Sequence, residues 1–61
     1  GKENSILTVL SVSEVAEYLG VGKNRVYELL NDGSLKGFRM GATWKISRMA
    51  LENYILNASK L

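Results

Sequence analysis

Apolar residues recur at helical spacing in three segments of the chain. The first segment begins after Ser11 and ends at Gly20. The second runs from Gly22 or Lys23 to about Asn31, and the third runs from about Arg48 to Asn57 or Ala58. The predicted inward faces are Val12, Val15, Ala16 and Leu19 in the first segment, Val26, Leu29 and Leu30 in the second, and Leu51, Tyr54, Ile55 and Ala58 in the third.

Polar residues at the ends of these segments predict where the helices begin and end. Ser11 and Glu14 have the spacing of a capping box, in which each side chain bonds the backbone N–H of the other residue. Gly20 ends the first helix because glycine adopts the left-handed conformation without a Cβ penalty. Ser47 is a good N-cap for the third helix.

Residues from Phe38 to Ile46 are typical of a β-hairpin around Gly41-Ala42, and two registers compete. A two-residue loop suits Gly41 as the first residue of a type II′ turn. A three-residue loop would bury the apolar side chains on one face, and we expect burial to decide. The favoured register pairs Met40 with Trp44, Arg39 with Lys45, and Phe38 with Ile46; the alternative pairs Met40 with Thr43, and Phe38 with Lys45.

The 61 residues are enough for one domain. We expect residues 1–5 to be a disordered or tag-derived start and residues 6–61 to form the domain. The run from Ile6 to Leu10 is either a strand or an extended lead-in. The predicted fold class is α+β, mainly α, with three helices and a β-hairpin around a single core.

The composition excludes several classes of function. The chain has no cysteine and no histidine, which argues against disulfides, zinc sites and histidine-based catalysis. Its apolar runs are too short to span a membrane. We therefore expect a binding protein of a reducing cytoplasm that is not an enzyme and that needs no cofactor, metal or small-molecule ligand.

The charge is concentrated in the middle of the chain. Residues 23–48 carry six basic and two acidic side chains, although the net charge of the whole chain is only +2. This distribution is expected of a face that meets phosphates, but a solvated basic surface would look the same.

The junction of the first two helices carries the sharpest signal for function. Ala16 is small where two steeply crossing helices approach, and Gly20 tolerates positive φ in the tight turn. Val26 and Leu29 supply the apolar contact from the second helix. This is the helix-turn-helix pattern, although a plain pair of helices in a bundle would use the same residue types.

The outward face of the second helix carries groups that recognise DNA. Asn24, Arg25 and Glu28 match the edges of adenine, guanine and cytosine, respectively. Lys23 and the Tyr27 hydroxyl suit phosphates, and the alternative for Tyr27 is a half-buried position at the edge of the core. Either Glu28 contacts a base, or its part of the helix lies outside the DNA groove.

The hairpin offers a second set of contacts. In the favoured register Arg39 and Lys45 share its outward face, and Arg48 follows at the start of the third helix. A basic ribbon beside a recognition helix is typical of a wing. We interpret Trp44 as a core residue.

The chain resembles the excisionase-family DNA-binding domain, which has a MerR-like winged helix-turn-helix fold. The resemblance covers roughly residues 9–56. It implies DNA contacts at Lys23, Asn24, Arg25 and Tyr27, and at the wing residues Arg39, Thr43 and Lys45. The segments that carry the resemblance are Leu10–Val21, Val26–Leu30, Gly33–Leu35, Phe38–Gly41 and Trp44–Ile46.

Three positions depart from the family pattern. Gly22 stands where the family usually has serine or a similar N-cap, and Glu28 stands where a basic residue is common. Gly41-Ala42 replaces a frequent Gly-Gly.

The resemblance implies either an excisionase-like recombination directionality factor or a small transcriptional regulator of a mobile element or phage. Its partners would be double-stranded DNA and an integrase, a recombinase or neighbouring copies of itself. The location would be the cytoplasm of a bacterium, at the nucleoid. The alternative is a protein-interaction domain that keeps the fold without binding DNA.

Overall fold

A computed structural model of the protein describes residues 8–59. Its elements are β1 (Val9–Ser11), α1 (Val12–Leu19), α2 (Lys23–Asn31), β2 (Phe38–Met40), β3 (Thr43–Ser47) and α3 (Arg48–Ala58). The predicted fold class is confirmed, since three helices and an antiparallel sheet form a small winged helix-turn-helix domain. The predicted boundary between residues 1–5 and the domain lies outside the described residues.

Helix α1 begins and ends as its local chemistry predicts. The Glu14 backbone N–H donates to Ser11 Oγ at 3.1 Å, and the Ser11 N–H donates to Glu14 Oε1 at 2.8 Å. Gly20 has φ of 74° and donates its N–H to the Ala16 carbonyl at 2.9 Å. The capping box and the glycine C-cap are both confirmed.

The other two helices start differently. No side chain caps α2, because its N-cap is Gly22. At α3 the Ala50 N–H donates to Ser47 Oγ at 3.1 Å. The predicted apolar face of α3 is confirmed only in part: Leu51 is buried, Tyr54 and Ile55 are half-buried, and Ala58 is exposed.

Three antiparallel strands form the sheet in the order β1-β3-β2. The N-terminal run therefore supplies a strand, whose residues Val9 and Leu10 pair with Ser47 and Ile46. Ile6 and Leu7, from the same predicted run, lie outside the described residues. Of the two alternatives for this run, the strand is confirmed at Val9 and Leu10, whereas its pairing with β3 was not predicted.

The favoured hairpin register is wrong. Phe38 pairs with Lys45, Arg39 with Trp44, and Met40 with Thr43, so the loop is Gly41-Ala42. Gly41 has φ of 67° and no other residue type has positive φ in residues 8–59, as a two-residue turn with glycine first requires. Turn chemistry decides the register here, and the burial argument fails because Phe38 and Met40 remain 43% and 59% exposed.

The register separates two residues that were expected on one face. Cross-strand partners share a face and neighbours along a strand alternate. Arg39 therefore lies on the same face as Trp44 and the buried Ile46, whereas Lys45 lies on the opposite face with Phe38. The prediction that Arg39 and Lys45 form one basic face is corrected.

The core lies between the helices and one face of the sheet. It includes Leu35, which follows α2 and donates its N–H to the Leu29 carbonyl at 3.1 Å. Within the described part of the chain, no helix has the length and apolar character needed to cross a membrane. The buried apolar residues are Val12, Val15, Ala16, Val26, Leu29, Leu30, Leu35, Ile46 and Leu51.

Candidate nucleic-acid interface

The junction of α1 and α2 has the geometry that the sequence predicts. Ala16 is 5% exposed where the helices approach, and Val26 and Leu29 are buried on the side of α2 that faces α1. The Val21 N–H donates to the Ala16 carbonyl at 3.0 Å, which closes the turn behind Gly20. The two helices thus form a helix-turn-helix unit with its second helix at the surface.

The polar side of α2 is turned to solvent. All the side chains predicted to meet DNA from this helix are exposed, while its three apolar residues are buried. A helix held by one apolar stripe presents its remaining surface for contact with a ligand. The exposed predicted residues are Lys23, Asn24, Arg25, Tyr27 and Glu28.

A groove joins the start of α2 to the turn of the hairpin. Lys23 and Tyr27 line it from α2, and Thr43 and Trp44 line it from β3. The N-terminal end of α1, including the cap Ser11, completes its wall. Three predicted site residues from two separate elements therefore meet here, and Tyr27 among them is 41% exposed.

Trp44 has a role that sequence reasoning missed. It is half-buried and packs against the core, as predicted, but its ring also lies beneath the Arg39 guanidinium, with 5.3 Å from Cζ to the ring centroid. This cation–π contact holds the Arg39 charge beside the hairpin. This contact could be predicted only from the two-residue register, in which Arg39 and Trp44 are cross-strand partners.

Lys45 and Arg48 lie away from the groove. Lys45 is half-buried on the other face of the sheet, between Ser11 and Phe38. Arg48 follows Ser47, the end of β3 remote from the turn, which lies about 13 Å along the strand from Thr43 at about 3.3 Å per residue. Its Nε donates to Glu52 Oε2 at 3.0 Å.

Two acidic residues of the α2 region are accounted for by local partners. The Glu28 carboxylate accepts from Arg25 Nη1 at 3.0 Å. Asp32 accepts from the Ser34 hydroxyl and, at 2.8 Å, from the Ser34 backbone N–H, and both bonds hold the pKa of Asp32 below its ordinary value of 3.8. Among residues 8–59, no three acidic side chains come together as a metal site would require.

Comparison with known proteins agrees with this geometry. Residues 9–59 match the family described as a helix-turn-helix domain. The chain is 35% identical over 46 residues to a probable excisionase of Saccharopolyspora erythraea, covering 75% of this chain and 47% of that protein. It is 39% identical over 44 residues to the early upstream open reading frame proteins of Chlamydia caviae and Chlamydophila psittaci, covering 72% of this chain and 24% of each of those proteins.

No solved structure matches the chain significantly. The chain spans about a quarter to a half of the length of the curated relatives it matches. The family match nevertheless covers almost all of the described residues and includes both helices of the junction and the whole sheet. The resemblance predicted from the sequence is confirmed: the chain belongs to the helix-turn-helix domain family and is similar to a probable excisionase.

Proposed function

We propose that this domain binds double-stranded DNA with sequence preference by laying α2 in the major groove. The observation that carries this proposal is the exposed polar side of α2 beside the hairpin groove. Asn24 and Arg25 would meet base edges, because an amide pairs with adenine and a guanidinium with guanine. Lys23 and the Tyr27 hydroxyl would bond phosphates and fix the position of the helix.

The hairpin acts in this proposal as a wing. Arg39, held on the Trp44 ring, supplies a positive charge near the duplex, and Thr43 at the turn supplies a hydroxyl. These groups would reach the backbone or the adjacent minor groove. Lys45 and Arg48 were predicted as further contacts, but neither side chain lines the groove, and we leave both outside the proposed surface.

The biological role that we propose is that of an excisionase-like recombination directionality factor or a small transcriptional regulator of a mobile element or phage. The similarity to a probable excisionase of Saccharopolyspora erythraea supports the first of these roles. The domain would act by binding and not by catalysis, in the bacterial cytoplasm and at the nucleoid. An integrase, a recombinase or neighbouring copies on DNA would be its protein partners.

The experiment that tests DNA recognition is selection of bound duplexes from a random pool, followed by affinity measurements across salt concentrations. If about four phosphates are neutralised, log K should fall with log salt at a slope near −3.6. A selected motif with this salt dependence supports the proposal. No enrichment and a flat salt response would favour the protein-interaction alternative.

The selected motif also separates the two proposed roles. If the best sites lie beside the attachment sites of a mobile element, the recombination role is supported. If they lie at promoters and the domain changes transcription from them, the regulatory role is supported. Either result leaves the mode of binding by α2 unchanged.

A further inference from the structure

Arg25 and Glu28 form an ion pair on the outward side of α2. Arg25 Nη1 lies 3.0 Å from Glu28 Oε1, and the two residues are one helical turn apart. Their side chains are 57% and 65% exposed. The pair lies on the surface that the proposed function places against DNA, and Glu28 is the acidic residue that fits such a surface least well.

Stability does not explain the pair. Exposed ion pairs between neighbouring helix positions contribute little to folding, because water screens the charges and two long side chains must be ordered. The contact does constrain the guanidinium, which otherwise samples many rotamers. A guanidinium has five N–H donors in a fixed plane, so one bond to Glu28 leaves enough donors for a bidentate contact to another group.

Lys23 is the other cationic residue of α2. No acidic side chain of residues 8–59 lies within ion-pair distance of Lys23, which lines the groove next to the hairpin turn. An ammonium is a compact charge suited to phosphates, which are present at every position of a duplex. The paired Arg25 is partly neutralised and is therefore a weaker attractor of phosphates than a free arginine.

We propose that Glu28 is a positioning residue that holds the Arg25 guanidinium for the edge of a guanine and reduces its attraction to phosphates. Arg25 then contributes to the difference in affinity between sequences more than to affinity for any duplex. This inference rests on the proposed function, since it requires α2 to face DNA. It gives the acidic residue at position 28 a role without a direct contact to a base.

The test replaces Glu28 by glutamine, which keeps the size of the side chain and removes its charge. Binding is measured by fluorescence anisotropy on a duplex selected from the random pool and on its scrambled version, across salt concentrations. We expect E28Q to bind the scrambled duplex more tightly, with a salt slope steeper by about 0.9 because Arg25 now neutralises a phosphate. The ratio of the two affinities should fall several-fold.

Two further variants make the result specific to this pair. E52Q removes the same charge from an ion pair with the same 3.0 Å distance, Arg48–Glu52 on α3, and should change neither the slope nor the ratio. In an R25A background, E28Q should no longer change the ratio, because the side chain that it positions is absent. Thermal unfolding by circular dichroism checks that each variant remains folded.

The outcomes separate this inference from the proposed function. If E28Q tightens binding to both duplexes by the same factor, Glu28 is only a repulsive surface charge and the inference is overturned. The inference is also overturned if the ratio falls to the same extent in the R25A background. If the unmodified domain binds neither duplex, the proposed function itself fails.

Discussion

Gly37 lies where the hairpin begins and has no room for a side chain. A Cβ at this position would lie 2.7 Å from Leu30 Cδ2 and 3.0 Å from the Lys45 carbonyl oxygen. Leu30 is buried in the core, and the Lys45 carbonyl belongs to the backbone of β3, so neither atom moves without disturbing its neighbours. The close approach of α2 to the hairpin therefore depends on this glycine.

We expect Gly37→Ala to lower the free energy of unfolding by about 1–3 kcal/mol, the usual cost of overpacking a core. Urea denaturation followed by circular dichroism measures this change. Lys36→Ala, at the adjacent exposed position, is the control and should change stability by less than about 0.5 kcal/mol. Equal stability of G37A and the parent would mean that Leu30 and the β3 backbone leave room for a methyl group at position 37.

Asp32 gives the stability a dependence on acid pH. Its pKa is lowered by the Ser34 hydroxyl first and by the Ser34 N–H second, so the folded state favours the carboxylate. A lowered pKa contributes stability that is fully present above the unfolded-state value near 3.8 and is lost as pH falls through the lower folded-state value.

We therefore expect Asp32→Asn to reduce the loss of stability that accompanies acidification below pH 3.8. The measurement is the unfolding midpoint in urea at several pH values from neutral to strongly acid. The parent and the variant should converge at the acid end, since the carboxyl of the parent is then protonated. A constant difference at every pH would instead indicate a role independent of ionisation.

At the scale of elements, α2 is the helix whose start is least well stabilised. Gly22 is in extended conformation with φ of −79°, provides no capping side chain, and has open space where a Cβ would lie. Serine fits this conformation, and its hydroxyl accepts a bond from the first turn of the helix. The family pattern implied by the resemblance has such a cap at this position.

Gly22→Ser should raise the free energy of unfolding by a few tenths of a kcal/mol, which is the usual difference between glycine and serine at an N-cap. Chemical denaturation and amide exchange of the first turn of α2 would detect it. Gly20→Ser is the matched control, because φ of 74° at Gly20 strains any side chain and should make that variant less stable. A loss of stability in G22S would contradict the open space at this position.

The sequence predicts α1 and α3 closely because their ends are set by neighbouring residues. Ser11 with Glu14, and Ser47 with Ala50, act over three positions and need no tertiary contact. The hairpin register depends instead on a competition between the turn and the burial of Phe38 and Met40. The helices leave Phe38 and Met40 largely uncovered, so burial gains little and the turn prevails. How much of the sheet the helices cover cannot be derived from a local sequence pattern.

Features that join distant segments were missed for the same reason. The pairing of β1 with β3 and the burial of Leu35 depend on the assembled core. The Arg25–Glu28 pair is different, since its spacing of three residues is visible in the sequence and is a known signal of side-chain contact on a helix. The candidate site was therefore predictable on α2 and much less so on the hairpin.

At the scale of the whole molecule, the location of charge matters more than its amount. The net charge is only +2, so binding driven by overall charge would respond alike to the loss of any basic residue. Arg39 lies on the hairpin over Trp44. Lys36 lies by a depression that it shares with Met49 and Asn53 of α3, outside the groove between α2 and the hairpin.

We expect Arg39→Ala to weaken binding to the selected and the scrambled duplex by a similar factor and to make the salt slope shallower by about 0.9, as the loss of one phosphate contact requires. Lys36→Ala removes the same charge and should leave both affinities and the slope nearly unchanged. Fluorescence anisotropy at several salt concentrations provides all of these values. Equal effects of the two substitutions would mean that DNA responds to net charge alone, whereas no effect of R39A would remove the hairpin from the interface and leave α2 to bind without it.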